Sequence, residues 1–310
     1  MEKHPTLDLI PVIREIEDPR MDRTRLHNLV DILVISICAV LCGAESFEDM
    51  AFFGECKEGW FGTFLELPNG IPSHDTFGRV FAALEPKKFL NAFMRWTQSL
   101  RETLSGEVVA IDGKALRRAI EKGESPKVVV SAWAAGNGLG QRRVADKSNE
   151  ITAVPELLRS LELAGCIVTL DAIERKEPAL DYWETVEKGH GRIETRRYWQ
   201  SDRIGWFAEK EAWESLRSVG VVEAVREMDG KISVERRYSL SSLPLDAQPF
   251  GKAVRSHWGV ENQLHWVLDV VFNEDQSRAR NKNAGENLAT LRRWSLNLTK
   301  ADKLKAKPSL

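Results

Sequence analysis

Two aspartates and a glutamate in this chain stand where oxygen-ligand chemistry could be done. Asp112 closes the run Glu107-Val108-Val109-Ala110-Ile111 and is followed by Gly113-Lys114; Asp171 closes Cys166-Ile167-Val168-Thr169-Leu170. Short apolar runs without alternation read as strands buried on both faces, although a buried helix has the same local pattern. Open sheets place their chemistry where such strands emerge. Gly113 is read as a sharp turn directly after Asp112. Either aspartate alone could simply cap a turn, but two strands of one form, each ending in an acid, point to a shared acidic site. Glu261 lies in a predicted helix with His257, Leu264, His265 and Leu268 along the same face. Three carboxylates brought together would repel one another, and hard divalent ions, Mg2+ or Mn2+, take such oxygen ligands. Paired ions about 3.5–4 Å apart drive in-line phosphoryl transfer. Lys114, Arg117 and Arg118 would then hold backbone phosphates beside the metals. The competing chemistry is zinc, through His257 and His265 with Glu261, since imidazole suits that ion. The H-E-x-x-H pattern of zinc proteases is absent, and the histidines beside Trp258 and Trp266 could also be packing.

These acids need elements that bring them together across 59 positions. Residues 108–172 read as strand, strand, strand, helix, strand: β-run 107–112, Val128–Ala134, Gln141–Ala145, a helix capped by Thr152 with Pro155 in its first turn, then the Asp171 run. That order is the one in a ribonuclease-H-like sheet, where the first and fourth strands are neighbours. The predicted fold class is therefore α/β: a mixed sheet with flanking helices, preceded by a helical domain over residues 1–100. Residues 101–310 form the catalytic part, with a β-rich insertion over about 185–245. In that insertion Arg192–Gln200, Val219–Glu227 and Lys231–Leu240 read as strands, the last two joined through Asp229-Gly230, a hairpin signal.

In the first hundred residues, Leu29–Leu41 reads as a buried helix ended by Gly43, and Ser46 caps the next. After the turn Pro68-Asn69-Gly70, Phe77, Val80, Phe81 and Leu84 fall on one helical face. Helix, turn, helix could be a DNA-reading module presenting His74 and Arg79. A packed bundle fits better, because residues 1–100 carry 10 Lys+Arg against 15 Asp+Glu and would repel phosphates. Residues 251–310 carry 11 Lys+Arg against 6 Asp+Glu, which places the expected DNA contacts at Arg255, Arg278, Arg280, Arg292 and Arg293. The apolar stretch Ile32–Ala44 is too short to span a bilayer, so no membrane is expected as a partner. The cysteines, Cys38, Cys42, Cys56 and Cys166, show no paired framework, which suits a reducing cytoplasm.

Three stretches carry a resemblance: Val109-Ala110-Ile111-Asp112-Gly113-Lys114, the run from Lys147 to Leu158, and His257-Trp258-Gly259-Val260-Glu261-Asn262 with Leu264-His265-Trp266. They closely resemble the H-repeat-associated group of insertion-sequence transposases over residues 7–298. The resemblance implies a bacterial, nucleoid-associated DDE transposase with Asp112, Asp171 and Glu261 as its acids. It implies double-stranded DNA, both element ends and target, as the partner, with a homo-oligomer forming on that DNA. Such an enzyme cuts the 3′ ends of its element with water and joins them to target DNA by metal-assisted phosphoryl transfer. His257 stands at the position of the arginine in the related Y-R-E-K signature and so joins the expected DNA contacts; Leu268 stands at its lysine.

The departures carry an expectation of their own. In the group, the second aspartate leads into a turn, a helix and a strand, whereas here Asp171 passes almost directly to Lys188-Gly189-His190-Gly191-Arg192. The third strand is two residues short and the basic tail is curtailed. A missing block would leave the Asp171 strand as a bare apolar edge, prone to association, unless Arg192–Gln200 moves in to pair with it. Such a chain could be a defective transposase. The alternatives are an inactive remnant that still binds DNA, or a metal-dependent nuclease without strand transfer.

Overall fold

The computed structural model describes residues 9–99, 108–116, 127–134, 137–143, 166–172, 180–189, 191–205, 215–228, 230–257 and 259–301, with isolated positions at 154, 157, 158, 161 and 213. Helices come first: α1 (Ile10–Arg14), α2 (Leu29–Leu41), α3 (Phe47–Cys56), α4 (Glu58–Phe61), α5 (His74–Ala83) and α6 (Pro86–Ser99). Strands β1 (Val108–Leu116), β2 (Lys127–Ala134), β3 (Asn137–Arg143), β4 (Ile167–Ala172), β5 (Asp181–Gly189), β6 (Arg192–Ser201), β7 (Ser218–Met228) and β8 (Lys231–Ser241) follow. The chain closes with α7 (Ala247–His257), α8 (Trp266–Val270) and α9 (Ala284–Ala301). No helix among the described residues is long and apolar enough to cross a membrane.

The helical part forms for local reasons that the sequence shows. Ser46 Oγ accepts the Asp49 N–H at 3.1 Å, and the Asp49 carboxylate accepts the Ser46 N–H at 2.9 Å, a reciprocal cap that starts α3. Helix α2 ends with Gly43 at φ +94°, the Ala44 N–H reaching back to the Ala39 carbonyl at 2.9 Å. Nothing lies within 4 Å of a Cβ built on Gly43, so Gly43→Ala is expected to cost only the left-handed strain, roughly 1 kcal/mol of stability. Urea unfolding midpoints of the two chains check this. Phe77, Val80, Phe81 and Leu84 are buried together, as their spacing predicts.

The last helix completes this core. Ala284, Leu288, Leu291 and Trp294 of α9 are buried among the residues of α2, α5 and α6. The Trp294 ring stacks on Trp96 at 5.0 Å and touches Phe89 and Phe93. The same helix also holds the sheet: Asn297 bonds both the N–H and carbonyl of Gly138 in β3, and Gln141 Nε2 donates to Thr290 Oγ1 at 2.8 Å. A buried polar group needs such partners, so these bonds fix one seating of α9 on the sheet.

The strands form one eight-stranded sheet in the order β3-β2-β1-β4-β8-β7-β6-β5. β1 and β4 are parallel neighbours, as the strand order predicts, and every other pairing is antiparallel. Two expectations are corrected here. β1 does not turn at Gly113 but runs on to Leu116, still paired with β2. Nor is β4 a bare edge: β8 lies antiparallel along it, with Leu170 opposite Leu240 and Asp171 opposite Ser239. The strand that takes the place is β8 rather than Arg192–Gln200, which sits as β6 two positions further out. The unpaired backbone that argued for aggregation at β4 is therefore satisfied.

Candidate active site

The parallel pairing of β1 and β4 ends at Ile111 opposite Leu170, so Asp112 and Asp171 leave it side by side on strands about 4.8 Å apart. Past that point the strands diverge in partner. β1 continues with β2, Asp112 opposite Ser131, and β4 continues with β8. Asp112 thus marks the end of a pairing rather than the end of a strand. Its side chain is about a quarter exposed, open enough to meet a ligand.

A helical segment brings the third acid to the same place. Beyond α7, Gly259 and Val260 are helical, and the chain then widens to a π-helical turn over Glu261–His265 and returns to α geometry in α8. Such turns are found disproportionately at functional sites. Val260, Leu264 and Leu268 bury one face of the segment against Ala110 of β1 and Trp133 of β2. Gly259 permits the approach, since a Cβ there would stand 2.5 Å from the Trp133 ring. The segment's last π residue, His265, is buried and places Nδ1 3.0 Å from Asp112 Oδ2. Glu261 is the first residue of that same turn. The side chains of Asp171 and Glu261, like that of Lys114, lie outside what the structure describes.

His265 is the residue at the site to which sequence reasoning gave no role beside Asp112. It entered in the zinc alternative with His257, in the run Leu264-His265-Trp266 and as possible packing, whereas the structure sets its Nδ1 against Asp112. Its signal was present: it stands four positions after Glu261 and one after the buried Leu264. Leu268, at the position of the related lysine, is fully buried in the same apolar cluster and has a packing role. Among the described side chains, no group of His, Cys, Asp or Glu forms a metal site.

The expected DNA contacts divide. Arg278 and Arg280 are exposed in the segment before α9. Arg255, on α7, is half-exposed and paired with Glu187 at 2.9 Å. His257, the last residue of α7, is buried. Arg292 and Arg293 are a correction: they are 4% and 1% exposed, inside the helical core. Arg293 pairs with buried Glu274 at 3.1 Å and donates to the Ala289 carbonyl, and burial holds the Arg292 guanidinium below its ordinary pKa. Helix α9 is buried nearly all round, so its arginines face protein and cannot meet phosphates. Arg117 and Arg118 lie outside the described residues.

Comparison with known proteins bears on what this geometry is for. A family model described as "Transposase DDE domain" matches residues 105–298, and one described as "DDE_Tnp_1-associated" matches residues 10–97. "Putative transposase YncI" of Escherichia coli O157:H7 is 34% identical over 337 aligned positions, covering 94% of this chain and 86% of the relative. "H repeat-associated putative transposase YhhI" of Escherichia coli (strain K12) is 34% identical over 347 positions, covering 96% and 91%. Both alignments exceed the 310 residues of this chain, so those relatives carry segments with no counterpart here. "Inactive transposase YbfQ" of Escherichia coli (strain K12) is 47% identical over 55 residues, 18% of this chain and 66% of that protein.

Proposed function

The chain belongs to the DDE transposases, and from that premise we propose that Asp112, Asp171 and Glu261 are its metal-holding carboxylates, set in a ribonuclease-H-like core that cuts and joins double-stranded DNA at the nucleoid. The observation that carries the reading is the end of the β1–β4 pairing, which leaves two aspartates adjacent beside the helical turn that begins at Glu261. An all-carboxylate donor set fits a hard divalent ion, Mg2+ or Mn2+. Bound there, such an ion supplies an activated attacking oxygen and charge for the phosphate.

The chain's own residues hold the frame. Asp112 and Asp171 would hold the ion from two neighbouring strands, and His265 fixes the carboxylate of Asp112 through Nδ1. Packing of Val260, Leu264 and Leu268 keeps the segment bearing Glu261 against the sheet. Pairing of β8 with β4 supports a competent sheet in this shortened chain.

The test is incubation of the full chain with Mg2+ and a duplex carrying whichever inverted repeats sequencing finds beside its gene. Joined strand-transfer products are expected. Nicked duplex without joining would identify a nuclease instead. DNA retention with no cleavage would identify a binding remnant, the reading favoured by the segments that the relatives have and this chain lacks. Arg278 and Arg280 are the expected phosphate contacts of the C-terminal part. Arg278→Ala and Arg280→Ala should each flatten the slope of log Kd against log salt by about 1 unit, measured by fluorescence anisotropy over a salt series.

A further inference from the structure

Among the described residues, α7 covers one face of the four-stranded region β5–β8, while the other is packed only at its end row, where Val219 and Leu240 meet Trp213 and Leu216. On one face, Tyr198 and Val222 pack under Phe250 and Val254 of α7. The other carries rows of directly opposed side chains, because cross-strand partners share a face. One row is charged: Glu184 opposite Arg197, Arg197 opposite Glu223, Glu223 opposite Arg236. Its ion pairs close at 3.0, 2.9 and 2.6 Å, so four strands are crossed by an unbroken ladder of alternating sign. The rows on either side are apolar or aromatic. Val186, Val225 and Val234 lie on one side, Tyr182, Trp199 and Tyr238 on the other. Val186 is 56% exposed, Val234 59%, and Ile232 in the row beyond 68%. Exposed apolar side chains thus stand in rows on both sides of the charge ladder, with Thr195 in the Val186 row and Lys188 and Glu227 in the row of Ile232.

We propose that this face is a homodimer interface, on which a second copy of the chain packs sheet against sheet. The charge ladder selects both the partner and the orientation. Read across the strands it runs minus, plus, minus, plus. A two-fold axis parallel to the strands through the centre of the ladder sets Glu184 against the partner copy's position 236 and Arg197 against its position 223, opposite signs throughout. The same axis lays each apolar row on its own reversed copy. A two-fold axis along the ladder would instead put carboxylate on carboxylate, a repulsive arrangement. Sheets packed face to face cross at about 30°, which keeps the central Arg197 and Glu223 opposed. Duplex DNA fits the face poorly: Lys188, Arg197 and Arg236 are balanced there by Glu184, Glu223 and Glu227, leaving no field for phosphates. Four strands and seven residues give a face about 19 by 20 Å, so two copies bury about 760 Å2, below the roughly 1,000 Å2 of a stable specific interface. The dimer is therefore a reversible one.

Sedimentation velocity on the full chain without DNA, over the micromolar range, tests this. The wild type should show a concentration-dependent monomer–dimer equilibrium. Val234→Asp, and independently Ile232→Lys, should raise the dimer dissociation constant by at least about tenfold, since each buries an unpaired charge. A chain with the ladder inverted (Glu184→Arg, Arg197→Glu, Glu223→Arg, Arg236→Glu) should pair with itself yet fail to capture tagged wild type. A wild type that stays monomeric overturns the proposal. So do dimers untouched by both single variants, an inverted chain that mixes freely with wild type, or single variants that lose only DNA retention, which would make the face a nucleic-acid surface.

Discussion

Replacement of Asp112 by asparagine is expected to lower strand cleavage by about 10^3-fold or more, a barrier increase of at least about 4 kcal/mol. Asparagine keeps the shape of the side chain and an oxygen within reach of His265 Nδ1, so the thermal midpoint should stay within a degree or two of wild type. The loss then lies in the charge of the carboxylate and not in the fold. His265→Asn is expected to act more gently, because it removes the group that orients Asp112 rather than the ligand itself. Removing an outer partner of a metal ligand commonly costs about 10–100-fold in metal affinity or activity. The Mg2+ concentration giving half-maximal cleavage should therefore rise for His265→Asn. A purely structural histidine would lower the melting temperature and leave that concentration unchanged. Cleavage rates of the three chains at saturating and limiting Mg2+ separate the two cases.

Trp294→Ala is expected to have the largest effect on stability. The indole is fully buried and lies against Trp96, Phe89 and Phe93, so its removal leaves a large aromatic-lined void. Truncations of this type cost about 3–5 kcal/mol, or roughly 10 °C in melting temperature for a domain of this size. Because α9 also bonds β3 through Asn297 and Gln141, the loss should appear in the sheet as well as in the helices. Thermal unfolding followed by near-ultraviolet circular dichroism and by far-ultraviolet signal should therefore shift together. An unchanged midpoint would mean that α9 is not seated in the core.

Much of this architecture is legible in short-range patterns, and the exceptions have physical causes. The reciprocal cap at Ser46 and Asp49, the apolar face of α5 and the β7–β8 hairpin are all set within a few residues. The adjacency of β1 and β4 follows from strand order alone. β5 was hidden because its exposed row, Tyr182, Glu184, Val186 and Lys188, mixes charge with apolar residues and breaks the expected alternation. The pairing of β8 with β4 leaves no local trace, since Leu170 and Leu240 meet only in the folded sheet. Arg292 and Arg293 misled for a related reason. A basic pair on a helix reads as a solvated face, and only the enclosure of α9 by α2, α5 and α6 turns it inward. At the site, the aspartates stand out as acids ending apolar runs, whereas the His265–Asp112 contact depends on how a helix from the far end of the chain docks on β1.

Asp112, Asp171 and Glu261, distant in sequence, are proposed to hold divalent metal between them. Anomalous scattering from crystals of the full chain grown with Mn2+ tests this most directly. An anomalous peak is expected with carboxylate oxygens of Asp112, Asp171 and Glu261 at about 2.0–2.6 Å, lost in Asp112→Asn. A Glu261 carboxylate directed away from the two aspartates, with no peak between them, would contradict it.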